Sequence, residues 1–304
     1  MTKLFGLPIL AALGAGIAFP YTAIILMPYG FVFLFILMLL SGFSIDWQKI
    51  PAAMKRPAAL LAALFFLFVF FPLLQLFLAK MLITDAQFLI GIVFSSLMPV
   101  ALVAPFFTNI LGGDEELAFL LMVCSTLLAP FVAPLLLKLY TAAVLPIDTA
   151  PLFRYMLLLV TMPLLCSYLI SRLLPRVRQA VIPYIAAGNM TALSILIFIL
   201  FGTAVSHLNI GYESSADIVK LVLLAFIQDF GVLFLARFLA GRIFRGREAG
   251  AIMVSLSMKN VAIAAGVLLF YDPRASLAPA LVFIAHACLF TFIPNMKGLL
   301  IIKE

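Results

Sequence analysis

The sequence predicts an all-α polytopic membrane protein: ten transmembrane helices forming two inverted five-helix repeats. Three observations predict it. Of the 304 residues, 66% are hydrophobic and 10% charged, where a soluble domain holds roughly 45–50% apolar and about 25% charged residues. The mean hydropathy is +1.28. The apolar residues fall in long runs, each near the roughly 20 residues that a helix needs to cross the hydrocarbon core. The runs divide five and five, and because five is odd the second half enters the membrane from the opposite side. This composition excludes a soluble enzyme, a nucleic-acid-binding domain and a disordered chain, since a soluble fold of this length cannot hide so much apolar surface.

Cutting the chain at charges, Pro and Gly places the spans at 4–20, 22–44, 58–79, 86–112, 116–140, 152–173, 180–206, 217–243, 249–271 and 275–301. Residues 1–142 form the first repeat and 151–304 the second. The start, Lys3 and an apolar run, resembles a signal peptide, but no clean small-residue cleavage site precedes Pro20, so it reads as an uncleaved first helix. With the N-terminus inside, the inner face holds Lys3, Lys49, Lys55, Arg56, Arg172, Arg176, Arg178, Arg237, Arg242, Arg245, Arg247, Lys297 and Lys303. The outer face holds Lys80, Lys138, Arg154, Lys220 and Arg274. Basic residues concentrate on the cytoplasmic side, so both termini are expected there, in a bacterial inner membrane and with a monomer as the expected state. The net charge of +7 thus reports topology and not nucleic acid. Cys124, Cys166 and Cys288 lie in apolar runs and read as buried structural thiols.

The fourth span of each half carries a related pattern. The first reads Ser95-Ser96-Leu97-Met98-Pro99-Val100-Ala101-Leu102-Val103-Ala104-Pro105 and the second Ser255-Leu256-Ser257-Met258-Lys259-Asn260-Val261-Ala262. Pro99 and Pro105 lack an amide hydrogen and clash with the preceding turn, so the helix is expected to break between them. Irregular backbone at membrane depth survives only where protein buries it or it lines a cavity. Half-helices that meet there offer free amides and a positive dipole end, which favour anions.

These residues resemble the bile acid:sodium symporter family, within the bile-acid, arsenite and riboflavin transporter superfamily. Three stretches carry the resemblance: Leu34 to Pro72, with Gly42-Phe43-Ser44-Ile45-Asp46-Trp47 and Phe71-Pro72; Ser125 to Leu135, with Ala129-Pro130 and Ala133-Pro134; and Ser257-Met258-Lys259-Asn260. The resemblance implies a panel of spans one, two, six and seven, a core of spans three to five and eight to ten, and alternating access. It also implies amphipathic organic anions as cargo, bile-acid-like or small hydroxy-acid-like, normally carried with two sodium ions.

The departures from that pattern bear on the ions. Where the family places Ser and Asn ligands in the first broken helix, this chain has Val100 to Pro105; downstream ligand positions become Ala118 and Met122. A glutamine of the third helix becomes Leu67, a glutamate of the ninth becomes Ser255, and the glutamine of Met-Gln-Asn becomes Lys259. Methyl groups and a thioether cannot replace hard oxygen ligands, so the sodium sites are expected to be absent and no cofactor is expected.

Lys259 lies about ten residues from either end of its span, roughly 15 Å from the nearer surface at about 1.5 Å per residue. That is too far to snorkel comfortably. A charge at the bilayer centre costs on the order of 3 kcal/mol and faces a polar interior. It stands where a sodium ligand stands in the family, so its ammonium is expected to replace a bound cation. Asp229, at similar depth in 217–243, is the expected counter-ion, and such a pair can exchange protons; a purely structural salt bridge is the competing reading. Together with Ser255 these form the coupling group. Asn260, by resemblance, touches substrate, with Thr108, Asn109, Ser95, Ser96 and Ser257 around the crossover, and Asn189 and Thr191, with Ser194, facing them from the panel. His286 and Asn295 read as packing residues, and a lone histidine makes no metal site.

The expected function is sodium-independent transport of an organic anion, proton-linked or uncoupled, with the lipid bilayer and protons as the other partners. An intramembrane enzyme would need paired aspartates, HExxH or a Ser–His dyad, none of which the spans contain. A cation/proton antiporter of similar plan, an uncoupled leak and a subunit of a larger complex stay open as alternatives.

Overall fold

The computed structural model describes residues 6–45, 47, 57–141, 148–207, 215–296 and 300. Lys3, Asp46, Lys49, Lys55, Arg56, Lys297 and Lys303, the first repeat's boundary at 142, and the side chain of Asn295 lie outside the described residues. Among the described residues there is helix and no extended strand. Helices α1 (Gly6–Ala18) and α2 (Pro20–Phe43) are followed by α3 (Pro57–Leu82), α4 (Ala86–Ser96) and the short α5 (Ala104–Ile110). Then come α6 (Glu115–Thr141), α7 (Thr149–Leu173), α8 (Pro175–Ser206) and α9 (Ala216–Ile243). The chain continues through α10 (Gly246–Ser257), α11 (Val261–Tyr271) and α12 (Leu277–Phe292). Six of these, α2, α3, α6, α7, α8 and α9, are long and apolar enough to cross a membrane, and the protein is an integral membrane protein. The three cysteines are half-buried and unpaired, not fully buried as the sequence suggests.

Prolines set the local geometry. Pro20 and Pro175 open α2 and α8 after residues with matching backbone, Phe19 at φ −128°, ψ 55° and Leu174 at φ −130°, ψ 63°. Eight residues on, Pro28 and Pro183 each sit in a tightened 3₁₀ turn. In α3 the ladder slips to i→i+5 spacing over Phe66–Phe70, so that Phe71 N–H donates to Phe66 O. In that register the next donor, for Leu67 O, is residue 72; in the ordinary α register residue 72 serves Phe68 O. Residue 72 is proline and has no N–H, so neither carbonyl receives that bond. A second slip occupies Leu157–Thr161 in α7, again just before a proline, and a third Ile227–Gly231 in α9.

The helices pack in two groups. In one, α1 and α2 lie against α8, and α2 against α7. In the other, α3, α6, α9 and α12 surround the two interrupted helices, α4–α5 and α10–α11. Two ties hold the ends of those interrupted helices. At one end Asp85 caps α4 and accepts a 2.8 Å bond from Arg274, while Gln87 bridges Arg274 (3.1 Å) and Asp272 (2.9 Å). At the other end Asp114 N–H donates to Arg247 O at 2.8 Å, beside Gly112, whose φ of 77° reverses the chain after α5.

Close contact within the first group depends on glycine. A Cβ placed on Gly16 would stand 3.0 Å from both Gly202 N and Phe198 O, whereas one on Gly14 meets nothing within 4 Å. Gly16→Ala is expected to lower stability by about 1–3 kcal/mol through overpacking. Gly14→Ala is expected to raise it by about 0.5–1 kcal/mol through reduced chain entropy. Thermal unfolding of the two variants in detergent checks this: their midpoints should move in opposite directions.

Candidate functional site

The two interrupted helices meet at their unwound segments. α4 stops at Ser96 and α5 resumes at Ala104, with Pro105 in its first turn, where a missing N–H costs nothing. The break therefore spans 97–103 and begins ahead of Pro99. The second break, 258–260, contains no proline. The two segments pair antiparallel, Val100 opposite Lys259, with Ala101 N–H donating to Met258 O and Asn260 N–H to Pro99 O, both at 2.7 Å. Val100 N–H donates to Ser125 Oγ at 3.0 Å. An unpaired backbone group in the bilayer costs several kcal/mol, so this pairing is what permits two helices to unwind at one place.

Lys259 is 2% exposed and its Nζ donates to Leu67 O at 3.0 Å. That is one of the two carbonyls that Pro72 leaves without a backbone donor; the other, Phe68 O, accepts from Tyr140 Oη at 3.2 Å. The ammonium of one interrupted helix thus fills a gap in the ladder of α3. Its main-chain oxygen is held as well, accepting from His286 Nε2 at 3.0 Å.

Two expectations need correction here. Asp229 faces His286 and not the Lys259 side chain: Nδ1 of His286 lies 2.6 Å from Asp229 Oδ2, and both residues are buried. The imidazole of α12 stands between α9 and the crossover, while the lysine side chain is drawn off toward α3. His286 is therefore no mere packing residue. The signal in the sequence is its depth, near the middle of its span like Asp229 and Lys259.

A cavity of about 900 Å³ lies between the two groups. Its walls are mainly apolar, from Leu37 to Phe290, and its polar wall includes Asn189, Lys259, Asn260 and His286. Ser44, Asn109, Glu115 and Arg178 line it too, near helix ends on the face that the basic-residue count marks as inner. Arg178 Nε donates to Phe43 O at 3.3 Å, and Asn109 Nδ2 to Glu115 Oε2. The Nδ2 of Asn260 and the Oδ1 of Asn189 are buried and have no hydrogen-bond partner among the described residues.

The remaining predicted residues do not reach this cavity. Ser95, Ser96 and Ser257 donate to carbonyls three residues back, at 2.6–3.0 Å, as hydroxyls in membrane helices do. Ser95 also lies 2.8 Å from Gln228 Oε1. Thr108 and Ser255 are buried outside the cavity lining, and their hydroxyls have no hydrogen-bond partner among the described residues. Thr191 is exposed on α8 but outside the cavity. At the sodium-ligand positions of the resemblance, Ala118 and Met122 are buried apolar side chains, and the Leu67 position presents its backbone carbonyl to an ammonium. These residues do not fit sodium.

This geometry has a direct check. After replacement of Cys124, Cys166 and Cys288, a polar maleimide applied to permeabilised membranes should label Asn189→Cys and Asn260→Cys rapidly. Ser257→Cys and Thr191→Cys should stay unlabelled; the reverse order would mean that the cavity lies elsewhere.

Comparison with known proteins gives the frame for these features. The profile of the Sodium Bile acid symporter family matches residues 31–209. An uncharacterised sodium-dependent transporter of Bacillus subtilis (strain 168), YocS, is 24% identical over 223 residues, 68% of this chain and 70% of that protein. The hepatic sodium/bile acid cotransporter of Rattus norvegicus is 28% identical over 181 residues, 59% of this chain and 49% of that protein. The probable sodium/metabolite cotransporter BASS3 of Oryza sativa subsp. japonica, chloroplastic, is 26% identical over 153 residues, 49% of this chain and 36% of that one. The aligned regions thus span about half of the rat protein and about a third of the rice one. The matched profile takes in more than half of the chain, and the protein belongs to the sodium bile acid symporter family, a family of membrane transporters and not of enzymes.

Proposed function

We propose that the protein carries an organic anion across the membrane by alternating access without sodium, the Lys259 ammonium standing in place of a bound cation. The observation that carries this reading is the 3.0 Å contact of Lys259 Nζ with Leu67 O. It joins two positions at which the family pattern has glutamines. The relatives are named as sodium-dependent, and the proposal parts from them on these residues. A fixed positive charge at the crossover does for the anion what a bound cation would do, and it cannot dissociate.

The cavity supports an amphipathic anion. Its volume of about 900 Å³ sits at the upper end of the roughly 300–1,000 Å³ of small-molecule sites. Apolar walls whose polar lining includes Lys259 and the free amide groups of Asn189 and Asn260 suit a carboxylate or sulfonate on an apolar body, bile-acid-like more than hydroxy-acid-like. The carboxylate in the wall is Glu115, close to Asn109, while Asp229 stays behind it; this argues against a cation/proton antiporter.

In this reading the first packing group is the panel and the second the core. The paired Pro20/Pro28 and Pro175/Pro183 kinks, the slipped turns in α3 and α9, and the tie at each end support a repeat of five plus five spans, ten in all. The cavity opens to the cytoplasm, both termini lie there, and the protein works as a monomer.

Uptake by purified protein in sodium-free liposomes tests this. Taurocholate and glycolate, offered separately, should give saturable uptake of at least one, unchanged by added sodium. Lys259→Ala removes a charge-assisted hydrogen-bond donor worth about 1.5–3 kcal/mol, so anion affinity should fall roughly ten- to hundredfold. Uptake that starts only when sodium is added would overturn the reading.

A further inference from the structure

We infer that Asp229 and His286 form a proton site, and that one proton travels with each monovalent anion in an electroneutral cycle. The inference rests on the anion-carrier reading above and deepens it by naming the second cargo.

The chemistry follows from two contacts. His286 meets an oxygen at each ring nitrogen: Lys259 O at 3.0 Å from Nε2 and Asp229 Oδ2 at 2.6 Å from Nδ1. A carbonyl only accepts, so Nε2 must carry a hydrogen. Nδ1 and Oδ2 approach to 2.6 Å without the angle of a good hydrogen bond, so the contact is favourable only with a second hydrogen on the pair, as an ion pair or as imidazole beside a carboxylic acid. The pair therefore holds two protons, as imidazolium with carboxylate or as imidazole with carboxylic acid. In either form its net charge is zero. A neutral imidazole beside an ionised Asp229 leaves one contact without a hydrogen, whichever tautomer it takes.

Charge then ties this proton to the cargo. With the proton present the pair is neutral and the Lys259 ammonium is the uncompensated charge of the crossover. An anion in the cavity brings the total to zero. When the proton leaves, the Asp229 carboxylate balances the ammonium and the anion loses its attraction. Loaded and empty cores are thus both neutral when they cross the low-dielectric barrier, where a net charge is costly. The proton has a path, because His286 lines the cavity while Asp229 is buried behind it. Its loss also weakens the hold of His286 on Lys259 O, which links protonation to the paired segments.

The surroundings leave these groups to set the balance. Against α12, helices α1, α4 and the buried part of α11 bring no charged side chain. α9 brings Asp229 itself; Asp217 and Lys220 pair with each other at 2.9 Å, and Arg237 and Arg242 lie further along toward its other end. α8 brings Arg178 to the cavity, with Arg176 and Tyr184 near the same helix end, and Glu115 of α6 also lines it.

The test uses taurocholate, which stays ionised and does not cross lipid as a free acid, and glycolate, taking whichever the wild type exchanges. In sodium-free liposomes an acid exterior should drive accumulation, and clamping the membrane potential with potassium and valinomycin should leave it unchanged. In Asp229→Asn, a fixed mimic of the protonated acid, exchange of labelled for unlabelled anion should continue while acid-driven accumulation is lost. Acid-driven accumulation in that variant equal to wild type would overturn the inference, as would accumulation that follows the membrane potential. Should the variant not fold, a pH indicator in weak buffer reads the wild type alone: about one proton taken up per anion bound supports the site, and none refutes it. Wild type that exchanges neither anion sinks the carrier reading and this inference with it; exchange without proton dependence sinks the inference alone.

Discussion

The contact between the Lys259 ammonium and the Leu67 carbonyl ties the interior of the molecule together. On one side it depends on Pro72, whose missing N–H and the slipped turn before it leave that carbonyl open. On the other it depends on the paired segments 99–101 and 258–260, which hold the lysine at the crossing of two interrupted helices. Burial of a charge at mid-membrane costs about 2.5–3.5 kcal/mol on insertion scales. One hydrogen bond to a charged group returns about 1.5–3 kcal/mol. The ammonium is a three-donor group with this one hydrogen bond among the described residues. What remains is a residual burial cost that a nearby negative charge would offset, and in the proposed function an anion in the cavity supplies it.

The rest of the architecture packs around this point on one side and leaves a cavity on the other. The ties at Asp85–Arg274 and Asp114–Arg247 join the ends of the interrupted helices. The opposing group is built around α8, where Gly16 and Gly202 bring backbones together. The cavity lies along the seam. In the proposed transport cycle one packed group rocks against the other, so that this seam opens alternately to two sides.

Much of the fold was legible because the bilayer allows few solutions: apolar runs of the required length gave the helices, and Pro99 gave one of the two breaks. Lys259 stood out for a related reason, as a charge where charges are expensive. Other features depend on contacts across more than a hundred residues and leave little local trace. The break at 258–260 contains no proline, and its cause is the partner segment around Val100. The freed carbonyl of Leu67 follows from Pro72 only once the slipped turn of α3 is known. The partner of Asp229 is not legible in the sequence, because Lys259 and His286 lie at similar depth and composition cannot rank them. Serines and threonines were over-read: Ser95, Ser96 and Ser257 satisfy themselves on their own helices, and Thr191 lies outside the cavity.

The claim on which the rest hangs is that an ammonium, and not an alkali ion, holds the crossover. An ion that binds only the folded state stabilises it by RT ln(1 + [L]/Kd), so the unfolding midpoint climbs with the ion's concentration. The most direct measurement is therefore the thermal unfolding of the purified protein, titrated with sodium chloride against choline chloride at constant ionic strength. If Lys259 fills the site, the midpoint is the same in both salts. A rise with concentration that sodium produces, and choline does not, contradicts it.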